Sequence, residues 1–152
     1  MNSDLTNISP TFYGITMIPQ EHWKEYGFAL LTIAGSDGIV SDPELEWLTL
    51  EMAKDVGVDD EILAEWEEFD YENADLEELF SSFNMSTLAN FNKLLIYDAI
   101  RMSSADGDYA LEEKEQVYES ARLLKVNPEI VMAIEALVEL EQAADKLRMI
   151  IL

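Results

Sequence analysis

The sequence contains no cysteine, so it can form no disulfide and offers no thiolate ligand. Its one histidine, His22, cannot build a zinc site without cysteine partners, and it reads as a surface helix residue. Basic residues are scarce: 9 lysines and arginines stand against 32 aspartates and glutamates, a net charge of −23. A field of that sign repels nucleic-acid phosphates and anionic lipid headgroups and attracts cations and basic proteins. It also keeps a protein in solution with no partner at all. No apolar run approaches the ~20 residues that a membrane-spanning helix needs. The start, Met1–Asp4, lacks the basic and apolar regions of a secretory signal. A cytoplasmic protein with no direct membrane insertion is the expectation. There is no glycine-rich phosphate loop and no Gly-x-Ser-x-Gly elbow.

What is present is helical periodicity. A chain of 152 residues with 49% hydrophobic content is enough for one domain with a sizeable core. Residues 1–18 show no helical period and read as an N-terminal arm, leaving 19–152 as a single helical domain. The spacing of Trp23, Gly27, Leu30, Leu31 and Ala34 predicts a helix over 20–35. Ser41 and Glu44 form the pattern of a capping box, which starts a helix running to Val56, where Gly57 stops it. Asp59 caps the next helix. Residues 71–73 read as a break before a short helix over 75–83. Ser86 caps a helix over 87–103 with Leu88, Phe91, Leu95 and Met102 in its apolar stripe. Asp98 falls inside that stripe, and an acid there needs a partner or an edge position. A helix over 112–125 follows. Asn127 and Pro128 then open a last helix carrying Ile130, Ile134, Leu137, Val138 and Ala144. The terminal Met149–Leu152 must pack on the body or on another chain, which raises a homodimer. The sum is an all-α fold of six to seven helices in two related helix-turn-helix repeats.

The repeats are marked by one duplicated turn. Asp37-Gly38-Ile39-Val40-Ser41-Asp42-Pro43-Glu44 is matched by Asp106-Gly107-Asp108-Tyr109-Ala110-Leu111-Glu112-Glu113. Each has Asp-Gly, an apolar residue three after the Asp and a Glu seven after it. This is the second half of an EF-hand calcium loop. The front halves do not fit: a full loop would place its first acid at Ile33 and Met102. Ordinary EF-hands are therefore rejected. Two readings of the turns stay open. In the first copy, capping explains the residues without a ligand. In the second, Ala110 is a poor cap, yet Asp106, Asp108, Glu112 and Glu113 crowd one turn. Crowded carboxylates repel unless protonated or bridged. A hard divalent cation (Ca²⁺, Mg²⁺ or Mn²⁺) suits all-oxygen ligands. The candidate ligands are Asp37, Glu44, Asp106, Asp108 and Glu113.

A second feature is the stretch from Asp55 to Asn92, which holds twelve acids and no basic residue, with Trp66, Phe69, Tyr71, Phe80 and Phe83 interleaved. It reads either as a solvated face or as the docking place of a basic partner.

The two turns, with Ala-Gly-Ser before Asp37 and Ser-Ser-Ala before Asp106, resemble the TerB family of tellurite-resistance proteins and the related N-terminal domain of DjlA-type co-chaperones. The likeness spans about 20–134. It implies an all-helical fold of two repeats, a bacterial cytoplasmic origin and a non-enzymatic role in resistance to tellurite and other chemical stress. It also implies an acidic surface that binds metal ions through Asp37, Glu44, Asp106 and Glu113, and contacts to membrane-associated stress proteins. An alternative of another class is a calcium-responsive sensor built on degenerate EF-hand-like half-loops. An enzyme using clustered carboxylates and a metal is the third and weakest reading, so no catalytic residue is assigned.

Overall fold

The computed structural model describes residues 22–81 and 91–152, and every regular element among them is helical. The predicted arm 1–18, Phe83, Leu88 and the predicted cap at Ser86 lie outside the described residues. Seven helices are described. Helix α1 is Trp23–Ala34, closed by a 3₁₀ turn at Gly35–Asp37. Helix α2 is continuous from Asp42–Glu46 through a π-helical segment, Trp47–Met52, to Ala53–Val56. Helix α3 is Asp60–Glu68, followed by a 3₁₀ turn at Tyr71–Asn73 and by α4, Leu76–Ser81. Helix α5 is Phe91–Ser103, α6 is Leu111–Leu123 and α7 is Pro128–Ile151. Among the described residues no helix is long and apolar enough to cross a membrane.

Local chemistry sets these boundaries. The Glu44 amide donates to Ser41 Oγ at 3.4 Å while the Ser41 amide donates to Glu44 Oε1 at 2.8 Å, a complete capping box. The Ile62 amide donates to Asp59 Oδ1 at 3.0 Å, and the Glu129 amide to Asn127 Oδ1 at 2.9 Å. Gly57 ends α2 in a left-handed conformation.

One core unites both repeats, centred where α1 packs on α5. The stripe of α5 is buried as expected, with Phe91, Leu95 and Met102 inside. Helix α3 comes very close to α1: Trp66 lies against Gly27, and its indole Nε1 donates to the Lys24 carbonyl at 3.1 Å. Asp98 is 1% exposed and holds a partner from each direction. Tyr26 Oη donates to its Oδ2 at 2.7 Å, and Arg101 lies 3.5 Å from its Oδ1. That satisfies the demand that a buried acid be paired.

One expectation is corrected. His22 is not a surface residue: it is buried, with its ring edge-on to Phe91. Helix α7 buries Val131 and Val138, whereas Ile130 and Leu137 are exposed. This helix is apolar on more than one side, so periodicity alone cannot select the buried side. Of the two places expected for Met149–Leu152, the body or another chain, the described body is not the one: all four are exposed on it.

Candidate functional site: the junction of the two turns

The two turns repeat each other bond for bond. The Gly38 amide donates to the Gly35 carbonyl, and the Gly107 amide to the Ser104 carbonyl, both at 3.0 Å. The two glycines hold φ of 110° and 83°, a region that a side chain disfavours. The Ile39 amide donates to Asp37 Oδ1 at 3.3 Å, and the Asp108 amide to Asp106 Oδ1 at 2.9 Å. The Ala110 amide donates to Glu113 Oε1 at 2.9 Å, as Ser41 does to Glu44. The copies differ at one point. Ala110 has no side-chain acceptor to return, so the second box is half made.

Packing brings the two copies together. The Gly35–Asp37 turn lies against α6, and Ser41 Oγ donates to Asp106 Oδ2 at 3.1 Å across the junction. Glu44 and Glu113 are 1% and 0% exposed, and each carboxyl acts on the electrostatics of the other across the junction. Each carboxyl spends Oε1 on its own helix cap. Each Oε2 is buried with no hydrogen-bond partner among the described residues. Burial and a neighbouring carboxyl of like charge favour the protonated form of such a group.

The electrostatics agree. Burial pushes the Glu113 carboxyl up to about 9, helped by the Glu44 carboxyl and by the charge of Asp37. Burial also raises Glu44, against the lowering effect of Glu113 and Ser41, and the charge of Asp106 raises it further. The influence is crossed: the Asp of each turn bears on the Glu of the other.

The predicted ligands thus divide into two groups. Glu44 and Glu113 converge in the interior. Asp37, Asp106 and Asp108 remain exposed at the rim. The two turns thus meet at one junction. Among the described residues, no three acidic, histidine or cysteine side chains are already gathered closely enough to hold a metal ion. Sequence reasoning missed Ser41 as a cross-junction donor. Its capping role accounts for the residue locally and hides the second bond.

The acidic stretch resolves into inward rings and outward acids. Trp66 and Phe80 are buried, and Phe69 stacks on Phe28 with ring centroids 4.0 Å apart. The carboxylates of Asp59, Glu67, Glu72 and Glu78 face solvent. The aromatics there anchor α3 and α4 to the core.

A separate groove of about 760 Å³ runs between the π segment of α2, α5 and the second half of α7. On its wall Arg101 is held between two rings, 5.1 Å from the centre of Trp47 and 5.0 Å from that of Tyr97.

No family model and no curated protein matches the chain. A solved structure does: a tellurite resistance protein from Nostoc punctiforme, 26% identical, covering 98% of this chain and 94% of that one with a TM-score of 0.77.

Proposed function

From this structural homology to a TerB-like tellurite-resistance protein, we propose that the chain is a non-enzymatic, stress-related helical module that binds a hard divalent cation where its two turns meet. The carrying observation is the pair of buried oxygens, Oε2 of Glu44 and of Glu113, neither of which has a hydrogen-bond partner among the described residues. A cation of the Ca²⁺, Mg²⁺ or Mn²⁺ class takes oxygen ligands and would compete with the proton that burial favours on Glu113. The donor chemistry fits. Glu44 and Glu113 would supply the interior oxygens, with Asp37 and Asp106 beside them at the rim. Bound there, the ion would supply positive charge that joins the two repeats. A cytoplasmic location and a basic protein partner for the acidic surface accord with this reading.

The test is calorimetry with CaCl₂, MgCl₂ and MnCl₂ at pH 6 and pH 8, in buffers of different ionisation enthalpy. The expected result is tighter binding at the higher pH, with proton release, and its loss in Glu44→Gln plus Glu113→Gln. Absence of heat and of proton release with all three ions overturns the reading. Trp47 lies three residues beyond Glu44, at the start of the π segment. With Trp23 and Trp66 replaced by Phe, Trp47 fluorescence separates a static site, with no change on ion binding, from a sensor that rearranges.

A further inference from the structure

Helix α7 carries two apolar faces, and the described body covers one of them. Val131 and Val138 are buried and Ile134 packs against the core. On the other face, Leu137, Leu140, Ala144, Leu147 and Ile151 are spaced alternately by three and four residues. Ile130 and Ala133 continue the spacing backwards. This is the a/d seam of a coiled coil, sustained for just over three heptads. Leu140, Leu147 and Ile151 are 68%, 55% and 68% exposed. We propose that this seam is an interface between two copies of the chain, whose α7 helices pair antiparallel about a two-fold axis near Gln142.

The residue order specifies both the partner and the direction. In a parallel pair every seam residue meets its own copy, so Ala133 and Ala144 would each face an alanine and leave two thin layers. The flanking positions would set Glu141 and Arg148 against Ala136 and Ala143, with no charge partner. In the antiparallel register Leu137 meets Leu147 of the second copy, Leu140 meets Ala144, and Ala133 meets Ile151. Every alanine is then opposed by a large side chain. The same register places Glu141 beside Arg148 of the second copy, twice by symmetry. A surface complementary to itself under a two-fold rotation is what an isologous dimer requires.

The surroundings leave room for this pairing. Glu141 and Arg148 border the 760 Å³ groove, and Leu50 on its opposite wall is 64% exposed. Glu141 accepts from Tyr97 Oη at 2.6 Å and retains lone pairs for a second donor. Arg148 is paired with Asp145 on its own helix, both exposed, in an ion pair of the kind that is readily exchanged.

Sedimentation equilibrium of the full chain over a range of concentration tests the proposal. The expected species are a 17.3 kDa monomer and its dimer. Leu140→Glu plus Leu147→Glu, both at exposed sites, should leave the circular dichroism unchanged and the chain monomeric. Arg148→Glu should weaken the dimer several-fold, and adding Glu141→Arg should restore it. Because the chain has no cysteine, a spin label at Leu152→Cys reads direction. The antiparallel pair sets the labels about 30 Å apart, from the rise per helical residue, and a parallel pair about 10 Å apart. A monomer at all concentrations, a dimer that survives the Leu140/Leu147 change, or a short label distance overturns the proposal. None of these readouts depends on cation binding.

Discussion

Tyr26 on α1 donates its hydroxyl to Asp98 on α5 across 2.7 Å, joining residues 72 apart in the chain where both are buried. The bond sits where the two repeats pack most closely. Removing the hydroxyl in Tyr26→Phe takes a donor from a buried acid and adds nothing in return. The expected cost is about 1–3 kcal/mol, read as a lower urea midpoint at unchanged slope. A variant as stable as the parent would mean that the groups left around Asp98, Arg101 among them, satisfy it without the Tyr26 hydroxyl.

The Glu44–Glu113 pair makes stability depend on pH with a definite sign. The Glu113 carboxyl is raised from 4.5 to about 9. Between those values the folded chain keeps a proton that the unfolded chain has lost. Stability from this group is therefore greatest below the ordinary carboxylate value and falls as pH rises toward 9. The slope is at most about 1.4 kcal/mol per pH unit for one proton. Glu113→Gln does not titrate. The stability of the parent minus that of the variant should decline steadily from pH 5 to pH 9. A flat difference would mean that Glu113 keeps no such proton in the fold.

Local signals in the sequence were enough to place the helix starts. Ser41, Asp59 and Asn127 act within a few residues of their own position, so their patterns can be read without the fold. The odd placement of Asp98 in an apolar stripe correctly signalled a partner, but that partner, Tyr26, comes from the other repeat. The meeting of Glu44 with Glu113 was hidden for a similar reason. One oxygen of each is explained by its cap, and the use of the other is decided by how two helix pairs dock. His22 looked external because the ring that covers it, Phe91, lies in the opposite half of the chain. In α7 the apolar pattern supports two faces, and only docking shows which one the body takes.

The unequal caps give a paired prediction. Ser41 and Ala110 stand at matching places with nearly the same backbone, φ −70° and ψ 162° against φ −65° and ψ 155°. Ser41→Ala removes the acceptor of the Glu44 amide and the donor to Asp106, and should cost about 0.5–2 kcal/mol. Ala110→Ser supplies the acceptor that the Glu113 amide lacks, and should add about 0.5–1 kcal/mol. Thermal unfolding of the two variants should move in opposite directions. If Ala110→Ser lowers the midpoint, a serine there is engaged by something other than the cap.

Gly27→Ala sets helix propensity against packing, and the sign of its effect shows which prevails. Alanine in a helix interior is favoured over glycine by about 1 kcal/mol. A Cβ on Gly27, however, would occupy the space of the Trp66 indole. That ring is 1% exposed and tied by Nε1 to the Lys24 carbonyl, so it has little freedom to retreat. Overpacking of this kind costs about 1–3 kcal/mol or more, and the variant should be less stable by chemical denaturation. Trp66→Leu alone should also be destabilising, because it empties buried volume and removes the bond to α1. Combined, the two changes should cost less than the sum of their separate effects, since the methyl enters space that the indole has left. Strict additivity would show that α1 and α3 do not compete for one volume at this crossing.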